Sequence, residues 1–208
     1  MVLFGCLLGL VGWLGMNSAG AILFTGADLG SIPRIGVNTL LTAGAAALTT
    51  ALVTRARFGK PDASLCANGW VCGLVASSAG CSFLPPIAAL VTGAVAGVLL
   101  PFGVEWFELR LRVDDPGGAI SVHGLGGLWG LLAVGIFALG SGQWLAQVVG
   151  IATLLGVVFP MTYFLNWMLN RWSPQRVSEE GEMQGMDLHE LGAGAYPEFN
   201  INEDFPLR

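Results

Sequence analysis

Apolar positions along this chain fall into long unbroken runs, not into the alternation of a half-buried strand or the short stripes of a soluble helix. Residues 116–170 contain no Asp, Glu, Lys or Arg, and neither do residues 63–104. Each stretch is long enough for two helical membrane crossings of about 20 residues. Each also carries an internal break, Gly140-Ser141-Gly142 in one and Cys81-Ser82-Phe83-Leu84-Pro85-Pro86 in the other, because glycine and proline punctuate helices. With Val2 to Thr25 and the run from about Ile35 to Thr54, the pattern predicts an all-α membrane protein of six transmembrane helices. Their expected limits are about 2–25, 34–55, 63–80, 86–109, 116–139 and 143–171, within a membrane domain over 1–172 that is followed by a tail over 173–208.

Composition strengthens this reading. Of the 208 residues, 54% are hydrophobic and 11% charged, 31 are glycine, and the mean hydropathy is +0.69, which is too apolar and too Gly-rich for an ordinary soluble domain. The first run lacks a basic leader and a small-residue cleavage site, so it is read as a retained span that enters the membrane at Met1 with no hydrophilic lead-in. Charge sets the orientation. With alternating spans, Arg55, Arg57, Lys60, Arg110, Arg112, Arg171, Arg176 and Arg208 lie on one side and Arg34 on the other. The positive-inside rule makes the basic side cytoplasmic, with both termini there. The tail carries Glu179, Glu180, Glu182, Asp187, Glu190, Glu198, Glu203 and Asp204, which account for most of the net charge of -5. Depletion of Lys and Arg argues against a nucleic-acid partner. Cys6, Cys66, Cys72 and Cys81 show no paired spacing; they are read as apolar packing residues, with no metal and no cofactor expected.

Candidate chemistry is sparse and therefore conspicuous. His123 stands inside the apolar segment ISVHGLGGLWGLLAVGIF, with Gly126, Gly127 and Gly130 at i+3, i+4 and i+7. That spacing predicts glycines and imidazole on one helix face, turned toward protein. Asp114-Asp115-Pro116 reads as a helix cap for both aspartates, with proline at the first helical position. Counting from Pro116, His123 lies about two turns into the membrane, where an ionisable group is a functional candidate; the alternative is a core histidine satisfied by a hydroxyl or carbonyl. Trp13, Met16, Asn17 and Gly20 form a second stripe at i, i+3, i+4 and i+7, which suits a pathway or a packed core. Asn38 and Asn68 are expected to be buried amides bonding between helices. Gly5 and Gly9, Gly69 and Gly73, Gly93 and Gly97, and Gly126 and Gly130 form small-xxx-small pairs that allow close helix approach in lipid.

Taken together, GWLGMNSAG (12–20), Asn38-Thr39, Gly59-Lys60-Pro61, NGWVCGLVASSAGCSF (68–83), VDDPGGAISVHGLGGLWG (113–130) and RVSEEGEMQGMDLHELGAGAY (176–196) resemble consecutive landmarks of the ammonium transporter family, Amt/MEP/Rh. The resemblance covers nearly the whole chain and corresponds to the sixth to eleventh spans of that family plus its cytoplasmic tail. It implies a second inverted repeat with the last helix appended, homotrimeric assembly in the cell (inner) membrane, no enzymatic activity, and a pore between two inverted repeats. It further implies that His123 is the pore histidine of the second repeat, that Trp13, Met16 and Gly20 line the pathway, and that Asp114, Asp115, Asn17 and Asn68 are structural. Ammonium or ammonia is the implied cargo, and a PII-class regulatory protein the implied partner of the tail. Two positions depart from the family pattern: Met16 stands where an aromatic gate is usual and Gly20 where a recruiting serine is common. The first five spans, with the partner histidine, have no counterpart in these 208 residues, so a first-half repeat is needed for a complete pore. The alternative to transport is a non-conducting membrane module that keeps trimer and tail contacts.

Overall fold

The computed structural model describes residues 2–115, 117–138, 140 and 142–192, and among them every regular element is a helix. The chain forms two compact units, Met1–Thr153 and Leu154–Arg208. Their boundary falls inside the last long apolar helix, Gln143–Trp172.

The first unit holds α1 (Val2–Thr25), a single 3₁₀ turn (Leu29–Ser31), α2 (Ile32–Phe58), α3 (Ala63–Ser77) and α4 (Pro86–Glu105), the last continued by a π-helical turn over Trp106–Arg110. A second π-helical turn, Ile120–Leu125, runs into α5 (Gly126–Phe137), and α6 (Gln143–Thr153) ends the unit. Local chemistry explains several limits. Gly59, at φ +80, closes α2, since only glycine takes that conformation without strain. Asp62 opens α3 by accepting from the Leu65 amide at 2.8 Å.

The centre is built from small side chains. Ala46, Cys72, Ala76, Ala96, Leu100 and Val122 form the main buried cluster, and α2 packs on both α3 and α4. The glycines mark the crossings. A Cβ on Gly93 would collide with the backbone of Thr42, one on Gly97 with the carbonyl of Ala46, and one on Gly73 would lie 2.6 Å from the Ala43 Cα. Threonine hydroxyls complete the α2–α4 contact, Thr42 Oγ1 donating to the Ala89 carbonyl at 3.1 Å and Thr50 Oγ1 to that of Gly97 at 2.9 Å. Without a hydrophobic force between helices in lipid, such close packing and hydrogen bonding hold the bundle together. Arg57 and Glu105 join the ends of α2 and α4 at 2.7 Å.

Three sequence expectations change. The third helix ends at Ser77 after 15 residues instead of reaching 80, so of the six expected apolar helices five are at least 18 residues long and the third is a shorter apolar helix. The turn that follows is held by Asn38, which donates to the carbonyls of Cys81 at 2.9 Å and Leu84 at 2.8 Å. Next, the helix expected from 116 begins at 119–120; Gly118, at φ +67, interrupts it. Pro116 and Ser141, on which the expected cap and turn partly rested, lie outside the described residues. Finally, the Gly5 and Gly9 pair makes no close approach, since a Cβ at either would meet nothing within 4 Å.

The second unit contains a π-helical turn (Leu154–Val158), α7 (Phe159–Trp172), α8 (Glu179–Gln184) and α9 (Met186–Leu191). Ser178 caps α8 by accepting from the Gly181 amide at 3.2 Å, and a Cβ on Gly181 would meet the His189 ring at 2.8 Å, so α8 and α9 close on each other there. The expected Ala195-Tyr196 motif and the acidic residues Glu198, Glu203 and Asp204 lie outside the described residues.

Candidate functional site

One face of the first unit gathers most of the residues singled out above. Trp13, half-buried on α1, donates its indole Nε1–H to the Ser78 hydroxyl at 3.0 Å. Its ring stacks on the His123 imidazole, with centroids 6.3 Å apart and planes 25° from parallel. His123 itself is exposed. Asn17, one turn above Trp13, is buried and donates to Thr39 Oγ1 at 3.0 Å and Ser77 Oγ at 3.2 Å. Met16, 53% exposed, and Gly20, with open space at its Cβ position, complete the surface.

Beside this face runs a groove of about 280 Å³, lined by Met16, Asn17, Gly20, Phe24, Ser78 and Ser82 among others. It shares Thr25 and Ser82 with a wider cleft of about 720 Å³ that contains Asp28 and Arg34. The Arg34 guanidinium is tied to the Ser82 carbonyl, so the loop between α3 and α4 is anchored to the start of α2. The resulting furrow is lined by apolar side chains, a few hydroxyl and amide groups, and the charged Asp28 and Arg34.

The glycine and imidazole face predicted from spacing is not formed. Gly126 and Gly130 are buried on α3, where a Cβ would lie 2.7 Å from Cys72 Sγ and 2.6 Å from the Ala76 carbonyl oxygen, whereas His123 points to the open side. The cause is the π-helical turn over Ile120–Leu125: i→i+5 hydrogen bonding widens the turn and rotates the residues before it out of α-helical register with those after it.

The two aspartates also separate. Asp115 is buried, and its carboxylate accepts from the amides of Ile120 and Ser121 at 3.0 and 3.1 Å and from the Ser121 hydroxyl at 3.2 Å. It caps the helix that carries His123, from five residues upstream of its start. Asp114 is exposed and caps nothing among the described residues. The stripe on α1 splits in the same way, since Asn17 is satisfied inside the bundle while Met16 faces outward. Asn68 packs against the segment before α5: a Cβ on Gly118 would lie 2.5 Å from its Nδ2. Among the described residues no three or more His, Cys, Asp or Glu cluster as metal ligands would.

Ser77 and Ser78 are the site residues that sequence reasoning left unassigned. Their only signal was a pair of adjacent hydroxyls at the end of an apolar run, and which helix would receive them is not encoded locally.

Comparison with known proteins adds to this geometry. Residues 1–196 match the model of the Ammonium Transporter Family. The chain is 38% identical over 216 residues to "Ammonium transporter Amt2" of Archaeoglobus fulgidus, covering 94% of this chain and 45% of that protein. It is 34% identical to "Ammonium transporter Amt1" of Haloferax mediterranei, over 100% of this chain and 42% of the relative. Among solved structures, "Sensor Amt Protein" superimposes with a TM-score of 0.74 at 27% identity, covering 90% of this chain and 48% of that one. The N240A mutant of Candida albicans Mep2 also gives 0.74, at 26% identity over 95% and 48%. The chain thus spans about half the length of the relatives it matches. With its apolar helices and the landmarks quoted above, this multi-pass membrane chain belongs to the Ammonium Transporter Family, a family of transporters and not of enzymes.

Proposed function

We propose that this chain forms one wall of an ammonium-conducting pore, as the second inverted repeat and last helix of an Amt-type subunit, and that a complementary first repeat supplies the other wall. The observation that carries the reading is the exposed His123 imidazole stacked on the half-buried Trp13 indole, beside a groove whose Asn17 and Ser78 groups are bonded within the bundle. An imidazole in its neutral form donates one hydrogen bond and accepts another, so it accommodates ammonia without a fixed charge that would repel or trap a cation. Ammonium gives up a proton to enter so apolar a passage; potassium has none to give and stays hydrated outside. Trp13, Met16 and Gly20 would line the passage beside His123, while Asp115, Asn17 and Asn68 hold the wall in shape. Asp114 is assigned no role.

The same reading places the protein in the cell (inner) membrane as a homotrimer, with the tail meeting a PII-class regulator. The open face around Gly5 and Gly9, free of neighbours within 4 Å, suits a helix from another chain. In a transporter completed with a first repeat, His123→Ala is expected to change ammonium or methylammonium uptake, or its selectivity over potassium, without reducing the amount of folded protein. Loss of folding with no transport-specific effect would make His123 a core residue instead.

Orientation gives a second expectation, motivated by the partition of basic residues described above. A membrane-impermeant thiol reagent applied from outside should label a cysteine placed at Gly30 but not one placed at Lys60 or Asp187. Labelling at Lys60 from outside would reverse the assignment of both termini to the cytoplasm.

A further inference from the structure

We infer that Ser78 is a positioning residue of this site: its hydroxyl fixes the plane of the Trp13 indole and occupies the ring's single donor, so that the indole offers the pathway a π face and leaves His123 as the polar group beside it. The inference rests on the transport reading above and adds a residue to it.

A tryptophan has one hydrogen-bond donor, Nε1–H, and no acceptor. Here that donor is engaged by Ser78 Oγ at 3.0 Å. The hydroxyl is itself oriented, because it donates to the Leu74 carbonyl at 3.3 Å and so turns its lone pairs toward the indole. Its backbone is equally fixed. The Ser78 amide closes α3 by bonding the Val75 carbonyl at 3.1 Å, and Asn38 holds the turn that follows.

The adjacent hydroxyl grips α1 one turn away, since Ser77 Oγ accepts from Asn17 at 3.2 Å. Two successive serines at the end of α3 thus hold two groups spaced i and i+4 on α1, which sets the rotation of α1 about its own axis. The consequence is the near-parallel stacking of indole on imidazole. Without the Ser78 hydroxyl, the indole would be free to turn about its side-chain torsions and to present Nε1–H to the furrow, narrowing the space beside His123 and adding a donor there. A larger substrate feels a change in ring plane more than a smaller one, so the substrate ratio is the sensitive readout.

In a transporter completed with a first repeat, Ser78→Ala is expected to shift the ratio of methylammonium to ammonium uptake by about two- to tenfold, the range of one ordinary hydrogen bond. Ser78→Thr, which keeps the hydroxyl, should restore the ratio. In a Trp13→Phe background Ser78→Ala should add nothing, because the two residues act through one contact. Additive effects, or equal shifts in the Ala and Thr variants, would overturn the assignment. A second measurement needs no conduction. In the ¹⁵N-labelled chain in detergent micelles, the Trp13 indole N–H resonance, identified by its loss in Trp13→Phe, should move in Ser78→Ala and stay near its place in Ser78→Thr. An unmoved resonance in Ser78→Ala would also overturn it. The two readings fail separately: transport insensitive to His123→Ala would sink the pore assignment while leaving the indole shift as it stands.

Discussion

Reconstituted into liposomes by themselves, these 208 residues are expected to give no ammonia-driven change of internal pH above that of protein-free vesicles. On the reading proposed above, the pathway lies at the mutual interface of two inverted repeats, and this chain would provide one side of it. His123 is exposed and Met16 is 53% exposed, so in a bilayer the furrow would meet lipid tails instead of a second wall. The energetic penalty is concentrated. Asn17, the indole of Trp13 and the carboxylate of Asp115 are all hydrogen-bonded within the bundle, whereas the exposed imidazole of His123 would face hydrocarbon, at a cost of up to a few kcal/mol. On that reading two copies in the same orientation would not supply the second wall, because an inverted partner requires the opposite topology. Co-expression with a first repeat, such as that of the archaeal relative, is expected to restore uptake and to make it sensitive to His123→Ala. Uptake by the chain alone, lost on that substitution, would show that the single wall is sufficient.

Gly93→Leu is expected to prevent accumulation of folded protein, and Gly93→Ala and Gly97→Ala to lower the stability of the detergent-solubilised chain by about 1–3 kcal/mol or more, the range for overpacking a tight contact. The obstacle in each case is backbone, that of Thr42 facing Gly93 and of Ala46 facing Gly97. A rotamer change cannot relieve such a clash; the helices must separate. Separation also stretches the hydrogen bonds from Thr42 to the Ala89 carbonyl and from Thr50 to the Gly97 carbonyl, and leaves their acceptors in an apolar interior. Gly9→Ala is the control, since its Cβ would enter open space. Thermal unfolding followed by tryptophan fluorescence would compare them, and equal midpoints for Gly9→Ala, Gly93→Ala and Gly97→Ala would refute this account of the α2–α4 contact.

The glycine pairs show how far sequence carries. All four had the same i, i+4 spacing, yet Gly93 and Gly97 sit against backbone while Gly5 and Gly9 face open space. Spacing establishes that a helix has a smooth stripe; it does not say what lies opposite. The position of Asp115 teaches a related lesson. An acidic residue before a helix was legible as a cap, but Gly118 delays the start of that helix, and only the folded loop shows the carboxylate reaching forward to Ile120 and Ser121.

The sequence by itself determined the apolar segments, their approximate ends, the asymmetry of basic residues and the family landmarks, because each of these is written in neighbouring residues and needs no distant partner. Tertiary structure decided the rest. It turned His123 away from Gly126 and Gly130 and toward Trp13, and it gave Ser77 and Ser78 to α1. It also ended α3 at Ser77 under the hold of Asn38, a residue 39 positions earlier in the chain. The physical reason is that hydropathy fixes whether a segment is helical and buried in lipid, whereas the rotation of each helix about its axis is set by contacts with other helices, and one π-helical turn is enough to displace a side chain from the face its spacing predicts.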